Sequence, residues 1–297
     1  MRFGIMAMQL DRFVPSGKSS EQIMSNLLDF DHAALVRSLA EAGFNLVELN
    51  GDLGMFLPQA YSPDAIERLA ALKDELGLTY TLHLPLWSVE PSTPLEPVRQ
   101  GSLQALVDVV RVTQPLQPEV YVLHATGALA AEFYRMRLPE EARSLLLRIF
   151  ANGARESIRA LLSETGLPSR RLAIETIEFP FDLTLELAQD QDLSICFDTG
   201  HVLVGFSGPI GFFEALEQAL PRLAEIHLHD GPWQGPEHKI GYGKDHQALG
   251  KGDLDLKRLL DTLEAAAFKG PLVFELGVED ALRSLEVLRK VKPELAP

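Results

Sequence analysis

Short apolar runs of strand length alternate along this chain with longer stretches whose apolar residues recur at helical spacing. The strand-type runs are residues 3–8, 44–49, 78–84, 120–124, 172–175, 193–198, 223–229 and 272–275. Between them, punctuation residues bound the helices. Asp31 caps a helix through Ala42, which Gly43 ends; Ser62-Pro63 opens the next, which Gly77 ends. Further helices are predicted over about 94–112, 139–162, 183–189, 209–219, 255–268 and 279–291. Residues 11–29, with Pro15, Gly17 and several serines, read as a long loop, as does the Gly-rich stretch 230–252.

Strands alternating with helices imply parallel strands joined by helical crossovers. The length suits one α/β domain, a single (β/α)8 (TIM) barrel over residues 1–297. The competing architecture, an open doubly wound sheet, lacks support because no glycine-rich phosphate fingerprint follows the first strand. The long loops follow the strands, so the carboxyl-end face is the expected working face.

That expectation directs attention to the ends of the strand runs. Glu48, His83, His124, Glu175, Asp198, His227 and Glu275 stand there, with His201, His229 and His246 just beyond. Of the eight histidines, only His32 and His238 fall outside this set. Each imidazole alone reads as a core or rim residue. Together, so many carboxylates and imidazoles converging on one axis would repel or lack partners unless cations neutralised them. The donor set is nitrogen and oxygen only, which suits divalent ions: zinc first, with manganese, iron or cobalt as alternatives.

Composition narrows the partners. With 27 Lys+Arg against 42 Asp+Glu the net charge is −15. Proteins that grip a nucleic-acid backbone need a positive field, so nucleic acid is not an expected partner. The single cysteine, Cys196, lies inside a strand run and reads as a small core residue, with no disulfide framework. No run approaches a membrane span, and 1–8 is too short for a secretory leader. A cytoplasmic protein without a membrane partner is the expectation.

Several stretches resemble the xylose-isomerase-like barrel superfamily, which includes endonuclease IV and many sugar isomerases and epimerases. They are His83 and His124, Ile174-Glu175, Asp198-Thr199-Gly200-His201, Ile226-His227-Leu228-His229-Asp230, the segment 246–253, and Gly270-Pro271 running into Glu275. The resemblance covers nearly the whole chain. It implies metal ligation by Glu175, Asp198, His227 and Glu275, the quartet that isomerase-type members place around one ion. It also implies the further ligands His83, His124, His201 and His246, which endonuclease IV uses to build a polynuclear cluster. With all eight present, the resemblance favours a metal-dependent phosphodiesterase with Glu175 and Glu275 in catalytic positions; a mononuclear sugar or sugar-phosphate isomerase or epimerase is the alternative. One departure stands out. Where endonuclease IV has an aspartate two residues before the last histidine, this chain has Lys244, with Asp245 one step out of register. Lys244 could meet a phosphate oxygen as a point charge. The acidic single barrel also resembles a branch that cleaves the nucleotide loop of cobamides. The expected substrate is therefore a small phosphorylated molecule, with Trp87 as an aromatic surface for a flat ligand.

Overall fold

The computed structural model describes residues 1–7, 9, 17, 19–234 and 243–295. Eight parallel strands close into a barrel in chain order. They are β1 (Arg2–Met6), β2 (Leu46–Asn50), β3 (Thr79–His83), β4 (Tyr121–Leu123), β5 (Leu172–Glu175), β6 (Ser194–Asp198), β7 (Leu223–His227) and β8 (Pro271–Phe274). β1 pairs with both β2 and β8, so no strand edge is left open. The (β/α)8 expectation holds.

Helices cover the outside. The first three are α1 (Ser20–Leu28), α2 (His32–Glu41) and α3 (Leu53–Phe56). Then come α4 (Pro63–Leu76), α5 (Glu96–Thr113), α6 (Ala128–Arg135) and α7 (Glu140–Thr165). The last five are α8 (Phe181–Asp190), α9 (Thr199–Leu203), α10 (Phe212–Ala219), α11 (Leu256–Ala265) and α12 (Val278–Val291). The punctuation residues act as anticipated. Asp31 accepts from the Ala34 amide and Ser62 from the Ala65 amide, while Gly77 and Gly166 end their helices in the left-handed region.

Two expectations need correction. Part of the stretch 11–29, expected to be a loop, is helical: α1 starts at a capping box in which Ser19 and Gln22 satisfy each other's backbone. Ile23, Met24, Leu27 and Leu28 stand at helical spacing in this helix, but none is buried, and the punctuation at Pro15, Gly17 and the serines masks that pattern. The short helices α3 and α9, and α6 between β4 and Pro139, are further additions to the expected set. Strand ends differ by a residue or two from the apolar runs; β7 stops at His227, and His229 lies past its end. Residues 8, 10–16 and 235–242, including His238 and most of the centre of the long loop, lie outside the described residues.

The strands bury both faces, and alternate residues face different surroundings. Outward-facing Ile5, Val47, Leu49, Tyr80, Leu82, Tyr121, Leu123, Ile174, Ile195, Phe197, Ile226, Leu272 and Phe274 join the main core under the helices. The inward set is split. Small apolar groups (Val120, Val122, Ala173 and Cys196, and separately Met6, Leu46 and Val273) fill the barrel interior. The remaining inward positions, towards the carboxyl end, are polar.

Candidate functional site

Period two within each strand places the strand-end residues on the inside. His83 follows Thr81, Asp198 follows Cys196, and His227 follows Glu225, each two residues on. Strand pairing sets Asp198 beside His227 and Glu175 beside Cys196. The result is one cluster assembled from β3 through β8.

Three adjoining groups of side chains have donor atoms close enough to share an ion. They are His83, His124 and Glu175; Glu175, Asp198, His227 and Glu275; and His201, His229 and His246. Glu175 belongs to two of them. Its Oε2 lies 2.8 Å from His124 Nε2 and 3.1 Å from His83 Nε2. Its Oε1 lies 3.0 Å from His201 Nδ1 and 3.4 Å from His227 Nδ1. Asp198 Oδ2 is 3.3 Å from His201 Nδ1 and 3.6 Å from His227 Nδ1. Glu275 spans the far side, with Oε1 3.4 Å from His227 Nδ1 and Oε2 3.2 Å from His246 Nε2.

These distances test whether divalent ions fit. Glu175 Oε1, His201 Nδ1 and His227 Nδ1 are buried without a hydrogen-bond partner. Orphaned polar atoms in a core are costly, so their convergence calls for a cation. Two donors of one tetrahedral zinc, each at about 2.0–2.1 Å, stand about 3.4 Å apart. The separations around Glu175 Oε1 and His227 Nδ1 match, and the nitrogen and oxygen donors suit the ion.

With no ion in place, the carboxylates and imidazoles of the cluster perturb one another. Burial alone would raise Glu175, but His124 and His227 hold it well below the usual carboxylate range. Asp198 is held low by His201 and His229 against the same burial effect. Burial opposes charge on His246, yet Asp245 and Glu275 push it up to about 11; His201 is likewise raised to about 9, by Asp198, Asp245 and Glu175. Metal ligation requires unprotonated imidazoles, so cation binding here would be coupled to proton release.

The Asp198-Thr199-Gly200-His201 motif divides its work among all four residues. Asp198 caps α9 by accepting from the His201 amide at 2.6 Å with Oδ1, leaving Oδ2 for the cluster. The Thr199 hydroxyl donates to the His229 carbonyl at 2.6 Å and accepts from the His229 amide at 3.0 Å, tying α9 to the chain leaving β7. A Cβ on Gly200 would lie 2.1 Å from His229 Nδ1, so only glycine fits. Capping and cluster formation are thus carried by one aspartate.

His229 and Asp245 are the residues whose parts the sequence left unassigned. His229 Nδ1 accepts the His246 amide at 2.9 Å and its Nε2 faces Asp198 Oδ2 at 2.8 Å, which assigns the proton to Nε2. Asp245, out of register with the expected aspartate, nevertheless reaches the cluster. His246 has φ +56°, and this left-handed residue turns the loop so that consecutive side chains reach the cluster. Asp245 Oδ2 lies 3.4 Å from His201 Nε2 and 2.9 Å from His246 Nδ1. Lys244 is exposed and is not among the residues lining the cavity. The segment after β7 is pinned by Asp230, which accepts from the Gly231, Gly250 and Leu254 amides. The His-Gln-Ala-Leu-Gly-Lys-Gly stretch is therefore largely a scaffold for one histidine.

Above the cluster lies a cavity of about 620 Å³. It is lined by the donor side chains His83, His124, Glu175, His201, His246 and Glu275 together with the apolar Met6, Leu86, Trp87, Ile177 and Leu276. Trp87 is half exposed and meets Phe56 edge-on at 5.7 Å. Buried Asp52 accepts from the Leu86 and Trp87 amides, fixing that loop. The volume falls within the range of small-molecule sites.

Comparison with known proteins places this architecture. Residues 36–291 match the family model described as xylose isomerase-like TIM barrel, and the chain belongs to that family. An uncharacterised protein of Methanocaldococcus jannaschii, MJ1311, is 25% identical over 235 residues, covering 77% of this chain and 75% of that one. Among solved structures, a D-tagatose 3-epimerase-like protein superposes with a TM-score of 0.68 at 21% identity, covering 98% of this chain and 97% of that one. Endonuclease IV from Thermus thermophilus superposes with a TM-score of 0.61 at 20% identity, covering 99% and 100%. At these identities the likeness shows the shared fold, and further sugar epimerases have it too. Among the described residues no helix is long and apolar enough to cross a membrane.

Proposed function

We propose that this barrel is a metal-dependent hydrolase of a small-molecule phosphodiester. The observation that carries the reading is that Glu175 belongs to two adjoining donor groups while Asp198 Oδ2 lies 3.3 Å from His201 of a third. The quartet Glu175, Asp198, His227 and Glu275 would hold one ion by itself. His83 and His124 on one side, with His201, His246 and Asp245 on the other, extend the set beyond one coordination sphere. When bound, neighbouring divalent ions supply Lewis acidity, which lowers the pKa of water and offsets charge on phosphate oxygens.

The chain's own residues take the remaining parts. Glu175 holds the donor groups together. Glu275, which lines the cavity, would take the proton of the attacking water as its oxygen bonds to phosphorus and the bond from phosphorus to the leaving oxygen breaks. Lys244, on the loop next to Asp245, supplies a mobile positive charge for the phosphate or the departing oxygen. The apolar wall at Trp87 excludes water and receives the less polar part of the substrate. The net charge of −15 favours a small diester over nucleic acid. Cobamide nucleotide loops, cyclic nucleotides and glycerophosphodiesters are the first diesters to test.

A second reading has specific support. The quartet alone meets the needs of a mononuclear sugar or sugar-phosphate isomerase or epimerase, and the names of the similar solved structures are mostly epimerases. Those names favour this reading over the hydrolase. Metal counting separates the two: the hydrolase reading expects at least two tightly held ions per chain, the epimerase reading one. Product labelling decides the reaction. Hydrolysis in oxygen-18 water puts label into the phosphate product, whereas a proton-transfer isomerase in deuterium oxide labels the carbon next to the sugar carbonyl. A single ion with deuterium uptake and no diester cleavage would replace the hydrolase reading with the epimerase one.

A further inference from the structure

Beneath the proposed metal centre the barrel interior holds a second polar layer. It consists of Glu48 on β2, Thr81 on β3 and Glu225 on β7, all fully buried. β2 and β7 are not neighbours in the sheet, so Glu48 and His227 meet only across the barrel axis. His227 Nε2 lies 3.3 and 3.4 Å from the two Glu48 carboxylate oxygens. Its other nitrogen, Nδ1, has no hydrogen-bond partner and faces Glu175, Asp198 and Glu275 at 3.4–3.6 Å.

A neutral imidazole carries one proton for two nitrogens, and the nitrogen without it is the ligand. An isolated imidazole can present either one. We propose that Glu48 is a positioning residue for His227: its carboxylate takes the Nε2–H and so aims the Nδ1 lone pair at Glu175, Asp198 and Glu275. The proposal rests on reading that centre as a metal site. A buried carboxylate inside a barrel is a poor choice for stability, since an apolar side chain of similar volume would fill the space at lower cost. Ligand histidines that donate their second N–H to a carboxylate are held in orientation and tautomer by it. Glu225 serves differently. Its Oε1 accepts from Thr81 Oγ1 at 2.9 Å, and burial together with the nearby Glu48 charge raises its pKa well above the usual range.

The competing use of these residues is a cation of their own, because donor atoms of Glu48, Glu225 and His227 lie within 4.8 Å of one another. That use needs Nε2 as a ligand while Nδ1 serves the centre above, leaving His227 no proton at all. The geometry favours the positioning role.

The test uses full-length protein labelled with nitrogen-15 histidine and loaded with zinc. Long-range proton–nitrogen spectra, with His227→Asn to assign the signal, show which nitrogen carries the proton. We expect the Nε2–H form. Glu48→Gln keeps the shape but lets an amide donate to Nε2. It should shift His227 towards the Nδ1–H form and weaken zinc binding about 10–100-fold in a chelator competition, with the ion count unchanged. Glu225→Gln should bind zinc as the wild type does. An unprotonated Nε2 in the wild type, or wild-type zinc affinity in Glu48→Gln, overturns the proposal. So does the loss of one ion in both variants, which would show a cation inside the barrel. A wild type that takes up no zinc removes the metal-centre reading itself, and the proposal with it. Should Glu48→Gln fail to fold, the wild-type spectrum alone decides.

Discussion

The two faces of the same strands were built under opposite rules. On β7, Ile226 turns outward into the apolar layer under the helices, while Glu225 and His227 on either side of it turn inward among carboxylates and imidazoles. On β3, Tyr80 and Leu82 face out and Thr81 and His83 face in. One residue along the chain separates a position that stabilises the barrel from one that burdens it. Burying an apolar group contributes about 25 cal/mol per Å². Burying a carboxylate or an orphaned imidazole nitrogen costs several kcal/mol unless a partner is supplied. The outer face holds the barrel closed, and that rigidity lets the inner mouth keep unsatisfied donors in register.

The comparison is broken most severely at the inner mouth. Glu175→Gln keeps the side-chain shape but removes the charge shared by two donor groups. We expect catalytic turnover to fall by at least about 10²–10³-fold, with bound metal reduced and the circular dichroism spectrum unchanged. Glu275→Gln should behave alike. Normal turnover in either would detach the cluster from the chemistry.

The outer face should show the reverse. Phe274 is fully buried, stacked on Phe3 at 6.2 Å and edge-on to Phe44 at 6.4 Å. Phe274→Ala should cost about 3–5 kcal/mol of stability in urea unfolding while the fraction that remains folded keeps its metal content. It stands one residue from Glu275, so this pair of substitutions reads the two faces at adjacent positions.

His32 sharpens the contrast, being an imidazole on the apolar side. It packs against Tyr61 and Phe30, and burial lowers its pKa to about 4 from 6.5. Between those values the unfolded chain binds more protons than the folded one. Stability from this residue is therefore full above pH 6.5 and is lost as pH falls towards 4. The loss should reach about 3 kcal/mol. Unfolding free energies at pH 7 and pH 5, compared with those of His32→Phe, isolate the effect; an unchanged pH slope in the variant would refute it. In the absence of metal, His83, His124, His201, His227 and His246, raised by carboxylates, should contribute in the opposite direction, whereas His229 is lowered by burial.

The smallest effect belongs to a surface cap. Ser62→Ala removes the acceptor for the Ala65 amide at the start of α4 and should lower stability by about 1 kcal/mol, read as a small shift in melting temperature with no change in metal content. A larger loss, or any loss of metal, would mean that the helical layer and the mouth are less separable than their geometry implies.

Local pattern carried much of this into view. Alternation of strand-type runs with capped helices made the barrel legible, because period two and period 3.6 are properties of consecutive residues. Strand-end position singled out Glu48, His83, His124, Glu175, Asp198, His227 and Glu275, with His201, His229 and His246 just beyond; the resemblance then selected eight of these as ligands, and the fold brings them to one mouth. Their roles remain proposals. Helix α1 escaped although Ser19 and Gln22 spell its cap and Ile23, Met24, Leu27 and Leu28 keep helical spacing, because Pro15, Gly17 and the surrounding serines read as loop. What tertiary structure alone decided is how residues distant in sequence share atoms. No local rule sets Glu48 of β2 against His227 of β7, 179 positions away. Nor does one show that a left-handed backbone at His246 brings Asp245 to His201, or that Gly200 exists to clear His229. Periodicity fixes which face a side chain takes. Only closure of the barrel fixes which side chains it meets there, since that depends on strand tilt and on the sum of every pairing around the ring.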